Sequence, residues 1–166
     1  MTVDEGFRVM YEREFPTVFG AVRLLCGDHA LAEDATQEAF ARALVRWKRL
    51  GSQPWAAGWV TTTALNVARR HLRRRPPPDA WRSAEPAREP DREAELDLAG
   101  AMRRLPPRQQ EAVALHYLHD LTVADAATVM GCDEGTVKTH LSRARAALAP
   151  ALADDEPSGP RRHDRA

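Results

Sequence analysis

Side chains suited to gripping a polyanion gather at two places in this 166-residue chain. In GTVKTHLSRARAAL, residues 135–148, helical spacing sets Val137, Leu141, Ala144 and Leu148 on one face and Lys138, Thr139, Ser142, Arg143 and Arg145 on the other. Ammonium, guanidinium and hydroxyl groups arrayed this way can donate to base edges in a major groove or to phosphates. The second place is RRHLRRR, residues 69–75, with five arginines and no acid. Arg69 with Arg73, and Arg70 with Arg74, stand at i, i+4 and repel one another unless an anion neutralises them. No nucleophile and base are proposed by any motif, so an enzyme is not expected. Cys26 and Cys132 form no CxxC pair, and His116 and His119 at i, i+3 lack a third ligand in sequence reach, so neither a metal nor a cofactor is implied.

The elements that must carry these groups read as helices throughout. Upstream of the first basic face, LTVADAATVMG runs from a capping-box pair, Thr122 and Asp125, through Ala126, Ala127 and Met130 to a turn glycine, Gly131. Asp133 is placed to cap the next helix. Two helices about a short glycine turn, the second with an exposed basic face, make a helix-turn-helix pattern. An ordinary αα-hairpin with a solvated basic face fits the same residues.

Earlier in the chain, residues 4–26 show a helical period through Phe7, Met10, Tyr11, Phe15, Val18, Val22 and Leu25, with Pro16 set to start a new helix or bend this one. Gly27-Asp28 breaks the pattern. A helix over roughly 29–49 turns Leu31, Ala35, Ala39, Ala43 and Leu44 inward and Asp34, Gln37, Glu38, Phe40, Arg42, Arg46 and Lys48 outward; periodicity alone suits Phe40 to the core equally well. After a loop, Gly51-Ser52-Gln53-Pro54, a helix over roughly 55–75 carries Trp55 and Trp59 at one end and the arginines at the other. That suits a strand opened by stacking and held by its phosphates, although the tryptophans fit core packing as well.

Residues 76–92 hold five prolines and read as a linker, with a span of roughly 50 Å if extended at ~3.1 Å per residue. Residues 93–150 read as a second helical lobe, with Leu96, Ala99, Met102 and Leu105 in a short helix. Pro107 then opens another, which offers Ala112, Val113, Leu115, Tyr117 and Leu118 to a core. Residues 151–166 have no periodicity. The expected fold is therefore all-α: two small domains, 4–75 and 93–150, joined by a Pro-rich acidic linker.

The formal net charge is zero, but residues 69–75 are purely basic while residues 76–100 hold 3 basic against 7 acidic side chains. Neutrality is a cancellation between adjoining stretches. No apolar run reaches the ~18 residues of a membrane span, and the charged N-terminus lacks a signal core, so a cytoplasmic location is expected.

Three stretches in this order resemble the extracytoplasmic-function (ECF) branch of the RNA polymerase sigma factors. EDATQEAFARAL, residues 33–44, resembles the D-x-x-Q-E-x-F motif that docks on the polymerase clamp helices. GWVTTTALNVARRHLRRR, residues 58–75, is similar to the −10 recognition helix. LPPRQQEAVALHY, residues 105–117, with GTVKTHLSRAR, residues 135–145, resembles the region 4 scaffold and its −35 reader. The resemblance implies a sigma factor that binds core RNA polymerase through clamp helices and flap and directs initiation at promoters. It implies core contact through Asp34, Gln37, Glu38 and Phe40. It implies −10 contact through Ser52, Gln53, Trp59, Asn66, Arg69, Arg70, Arg73 and Arg74, with the loop at 51–54 near a flipped base. It implies −35 contact through Lys138, Thr139, Ser142 and Arg143. Four residues after Asn66, where the family usually carries aspartate, this chain has Arg70. The expected partners are promoter DNA and core polymerase, with room for an anti-sigma factor, no membrane, and a monomer when free. Residues 101–150 carry 6 basic and 5 acidic groups, too slight an excess for tight independent binding, so the helix-turn-helix is expected to act as one of two anchors. A stand-alone helix-turn-helix regulator and a protein-interaction module are the alternative readings.

Overall fold

The structure, a computed structural model, describes residues 3–74 and 98–153. The linker expected at 76–92 and the tail beyond 153 lie outside the described residues, as does Arg75. Among the described residues every regular element is helical, and no helix is long and apolar enough to cross a membrane.

The first lobe is built from α1 (Val3–Cys26), α2 (His29–Val45), a single turn α3 (Trp47–Leu50) and α4 (Ala56–Arg74). α1 runs through Pro16 without ending. The carbonyl that Pro16 leaves unpaired belongs to exposed Glu12, where water can satisfy it. Gly27 takes φ +72°, and Asp28 then caps α2 by accepting from the Leu31 amide at 2.9 Å. The helix expected to run to residue 49 is broken at Arg46 (φ −101°, ψ 7°), and the following turn brings Trp47 edge-on to Phe7.

The second lobe comprises α5 (residues 98–104), α6 (Pro107–Val113), a π-turn (Ala114–Leu118), α7 (Val123–Met130) and α8 (Glu134–Ala153). Pro107 stands in the first turn of α6, where its missing N–H costs nothing. Thr122 caps α7: its Oγ1 accepts from the Asp125 amide at 3.1 Å and donates to Asp125 Oδ2 at 2.9 Å. Gly131 takes φ +64°. Asp133 then caps α8, accepting from the Thr136 amide and hydroxyl, each at 2.8 Å, and these bonds hold its carboxyl below the ordinary range. Val137, Leu141, Ala144 and Leu148 are all buried, as the period required. α8 passes through Pro150 to Ala153, three residues beyond the expected end of periodic structure.

Four expectations about faces change. Phe40 is 2% exposed and lies within rings of Phe7, Tyr11 and Phe15, so it is core and not a polymerase contact. Leu44, placed inward by periodicity, is exposed; so are Tyr117 and Leu118, which were offered to the core. The physical reason at 114–118 is the π-turn, whose extra residue rotates Tyr117 and Leu118 off the face that α6 buries.

The lobes are also not held apart. Met102, Leu105, Val113, Ala144 and Leu148 belong to one apolar cluster with α1, α2 and α4. A second cluster lies within the helix-turn-helix lobe and is touched by Trp55 of the first, so Trp55 packs against both. Apolar surface that each lobe would otherwise leave wet is what joins them.

Candidate nucleic-acid interface

α2 and α4 are antiparallel neighbours whose outward sides meet in an open groove lined by Arg42, Arg46, Trp59, Thr63, Asn66 and Arg70. Small buried residues on both helices, Ala35, Ala39, Ala43, Ala64 and Ala68, let them pack closely and leave the long polar side chains along the rim. The guanidinium of Arg46 sits over the Trp59 ring, 5.7 Å from its centroid. Arg42 forms an ion pair with Glu38 one turn earlier on α2. A half-buried indole beside three guanidiniums offers a stacking surface for a base and charges for its phosphates. Arg42 and Arg46 were not among the sequence-derived site residues. Their signal was present all the same, as an i, i+4 basic pair on the outer side of α2.

Of the eight residues expected at −10 DNA, Trp59, Asn66 and Arg70 line this groove, and Arg73 and Arg74 are exposed at the end of α4. Ser52 and Gln53 lie apart from it. Gln53, with Gly51 and Pro54, borders a different cavity whose opposite wall is Leu118, His119 and Asp120 of the second lobe. Arg69 is turned away from the groove. Its Nη1 donates to Glu111 Oε1 at 2.7 Å, and its Nη2 to Gln110 Oε1 at 2.9 Å and to the Pro107 carbonyl at 3.1 Å. As the structure stands, Arg69 joins the lobes and is not free for phosphate.

On α8, Lys138, Thr139, Ser142 and Arg143 are all exposed on the side opposite the buried seam. Thr139 spends its hydroxyl proton on the Gly135 carbonyl at 2.9 Å, which leaves its oxygen as an acceptor. Arg145 is drawn back to the Tyr117 hydroxyl at 3.1 Å. The third face is that of α2 away from the core: Asp34, Gln37 and Glu38 are exposed, and one to two turns on the face becomes apolar with Leu44 and Val45, the latter 85% exposed. Those two, and not Phe40, are its apolar surface.

At the junction of the lobes, His119 places Nε2 2.6 Å from Thr61 Oγ1 and Nδ1 3.8 Å from Glu14 Oε2, with a side chain 3% exposed. Burial pushes this imidazole below its ordinary range, against the pull of the Glu14 and Asp120 carboxylates. The packed lobes thus take up fewer protons at His119 than separated ones. Their contact is strongest above the ordinary imidazole value of about 6.5 and weakens as pH falls through it. Thermal unfolding should therefore shift downward between pH of about 7.5 and 5.5, and His119→Gln should remove that part of the shift. A shift of the same size in the variant would exclude His119 as its source.

Residues 10–76 match the family model described as Sigma-70 region 2, and residues 95–148 match Sigma-70, region 4. The chain is 33% identical over 166 residues to the ECF RNA polymerase sigma factor BldN of Streptomyces coelicolor, a match over 91% of this chain and 62% of that protein. It is 36% identical over 138 residues to the ECF RNA polymerase sigma factor SigC of Mycobacterium tuberculosis, over 78% of this chain and 73% of that one. Among solved structures it is similar to the sigma factor RpoE of Bartonella quintana, determined in complex with the anti-sigma factor NepR. There the TM-score is 0.67 at 26% identity, covering 90% of this chain and 98% of that chain.

Proposed function

Since the chain belongs to the ECF family of sigma-70 factors, we propose that it is a non-catalytic, cytoplasmic specificity subunit that binds core RNA polymerase and directs it to promoters with defined −10 and −35 elements. The observation that carries this reading is the presence of two separate DNA-suited faces, one on each lobe: the α2/α4 groove and the exposed side of α8. In the proposal the groove takes −10 DNA, with Trp59 stacking on an opened base and Arg42, Arg46 and Arg70 holding phosphates. Lys138, Thr139, Ser142 and Arg143 enter the −35 major groove, with Arg143 the side chain best suited to a bidentate contact with guanine. Asp34, Gln37 and Glu38 meet the polymerase clamp helices, and Leu44 and Val45 extend that surface with apolar contact. The second lobe meets the flap. The Bartonella quintana relative is bound by an anti-sigma factor. A regulator of that kind acting on this chain would have to engage lobes that already touch.

Run-off transcription with purified core polymerase tests the reading on a pool of genomic promoter fragments. Promoter-dependent transcripts are expected. Their absence, with tight duplex binding by the free chain, would favour a stand-alone regulator instead. Replacing Asp34, Gln37 and Glu38 together by alanine should weaken co-purification with core polymerase while leaving the unfolding midpoint nearly unchanged, because all three are exposed. Undiminished co-purification would remove that face from the proposal.

A further inference from the structure

The π-turn Ala114–Leu118 holds one residue more than an α-helical turn, a rare geometry that is found most often at functional sites. What it re-aims here is Tyr117, which is left 50% exposed although its ring would gain by burial. Two contacts fix that ring. The imidazole of His116 meets it edge-on, with 4.9 Å between centroids, and His116 Nδ1 is itself anchored by donating to the Leu121 carbonyl at 3.0 Å. The Tyr117 hydroxyl then accepts from Arg145 Nη1 at 3.1 Å, across to α8. Arg145 follows Lys138 by seven residues and Ser142 by three, so all three share one exposed strip of that helix. At ~1.5 Å per residue Arg145 lies about 10 Å along the axis from Lys138. Among the described residues no carboxylate lies within ion-pair distance of Arg145. Its bond to a neutral hydroxyl leaves the charge uncompensated and most of its N–H groups free to donate.

We infer that Tyr117 is a positioning residue for −35 DNA: it holds Arg145 where the guanidinium clamps a backbone phosphate beside the bases that α8 reads. The inference rests on the proposed −35 role of α8. A recognition helix reads base edges from its N-terminal residues, the part that carries Lys138 and Thr139. A guanidinium two turns farther on, at the flank of the helix, meets the sugar-phosphate backbone instead. Holding the side chain in place beforehand spares the rotamer freedom that a long arginine otherwise loses on binding. A phosphate contact sets register and orientation without reading sequence. Arg145 thus fixes the register in which Arg143 meets its bases, and Tyr117, with His116 behind it, fixes Arg145.

Binding of the full chain to a mixed-sequence duplex of about 30 base pairs, followed across a salt series, tests the assignment. Arg145→Gln should lower the salt slope by ~0.9, the value of one phosphate contact, and weaken low-salt binding about threefold. Tyr117→Phe keeps every charge and the ring itself. It should weaken binding about twofold in the wild-type background and add nothing in the Arg145→Gln background, because it acts through that side chain. Both residues are exposed, so the melts of all variants should stay close to wild type. An unaltered slope in Arg145→Gln would overturn the phosphate contact. A Tyr117→Phe loss of equal size in both backgrounds would overturn the positioning role, and so would no loss at all beside a weakened Arg145→Gln. Lys138→Gln combined with Arg143→Gln reads the underlying proposal separately. A lowered slope there would keep α8 on DNA even if the role of Arg145 falls, and an unaltered one would remove α8 and this inference together.

Discussion

Phe40→Ala should remove most of the first lobe's stability. The ring is 2% exposed, with its centroid 4.8 Å from that of Tyr11 and 5.9 Å from that of Phe15. Deleting a fully buried phenylalanine costs about 3–5 kcal/mol, the transfer term plus the cavity left behind. A lobe of this size is stable by only about 4–10 kcal/mol on the usual per-residue scale. Denaturant melts should show the loss directly, and Phe40→Leu, which nearly fills the space, should recover much of it. A polymerase-contacting Phe40 makes the opposite forecast, an unchanged melt with weakened polymerase binding. The two outcomes are cleanly separable.

Neutralising Arg42, Arg46 and Arg70 together, each to glutamine, should flatten the salt dependence of single-strand binding by about 2, at ~0.7 per lost phosphate contact. Across a fourfold change in salt, a slope difference of that size amounts to roughly twentyfold in affinity. All three guanidiniums face one groove beside Trp59, and Arg42 gives up only a solvent-exposed ion pair with Glu38 to reach a phosphate. Arg69→Gln alone should leave the slope of the free chain unaltered, because its guanidinium is already tied to Glu111. If the triple variant kept the wild-type slope, the groove would be a solvated surface and the −10 assignment would have to move.

The contrast between Arg69 and its neighbours shows where reading a sequence stops. RRHLRRR marks a basic helix end, and i, i+4 spacing pairs Arg69 with Arg73 as if both faced one way. Which of them meets solvent depends on what packs beside α4, and that is α6, more than thirty residues on. Arg42 and Arg46 were visible as exposed charges, but their neighbourhood with Trp59 and Asn66 exists only once α2 lies along α4. Phe40 failed for a related reason. On α2 four of the seven buried positions are alanine, and so small a stripe lets either face pass for the inner one until the rings of α1 arrive.

By itself the sequence determined what is local. The caps at Thr122 and Asp133, the left-handed turn at Gly131, Pro107 at a helix start and the seam Val137–Leu141–Ala144–Leu148 rest on backbone chemistry and helical period, which act over a few residues. The ordered motifs over 33–44, 58–75 and 105–145 carried the family as well. Only the tertiary structure decided how the lobes meet: the seat of Arg69 on Glu111, the close approach at Gly58 and the buried His119. Those contacts join residues separated by forty to a hundred positions, and no periodicity records a pairing across that distance. They depend on matched surfaces whose burial outweighs the freedom of a tether, a balance struck only when the whole chain has folded.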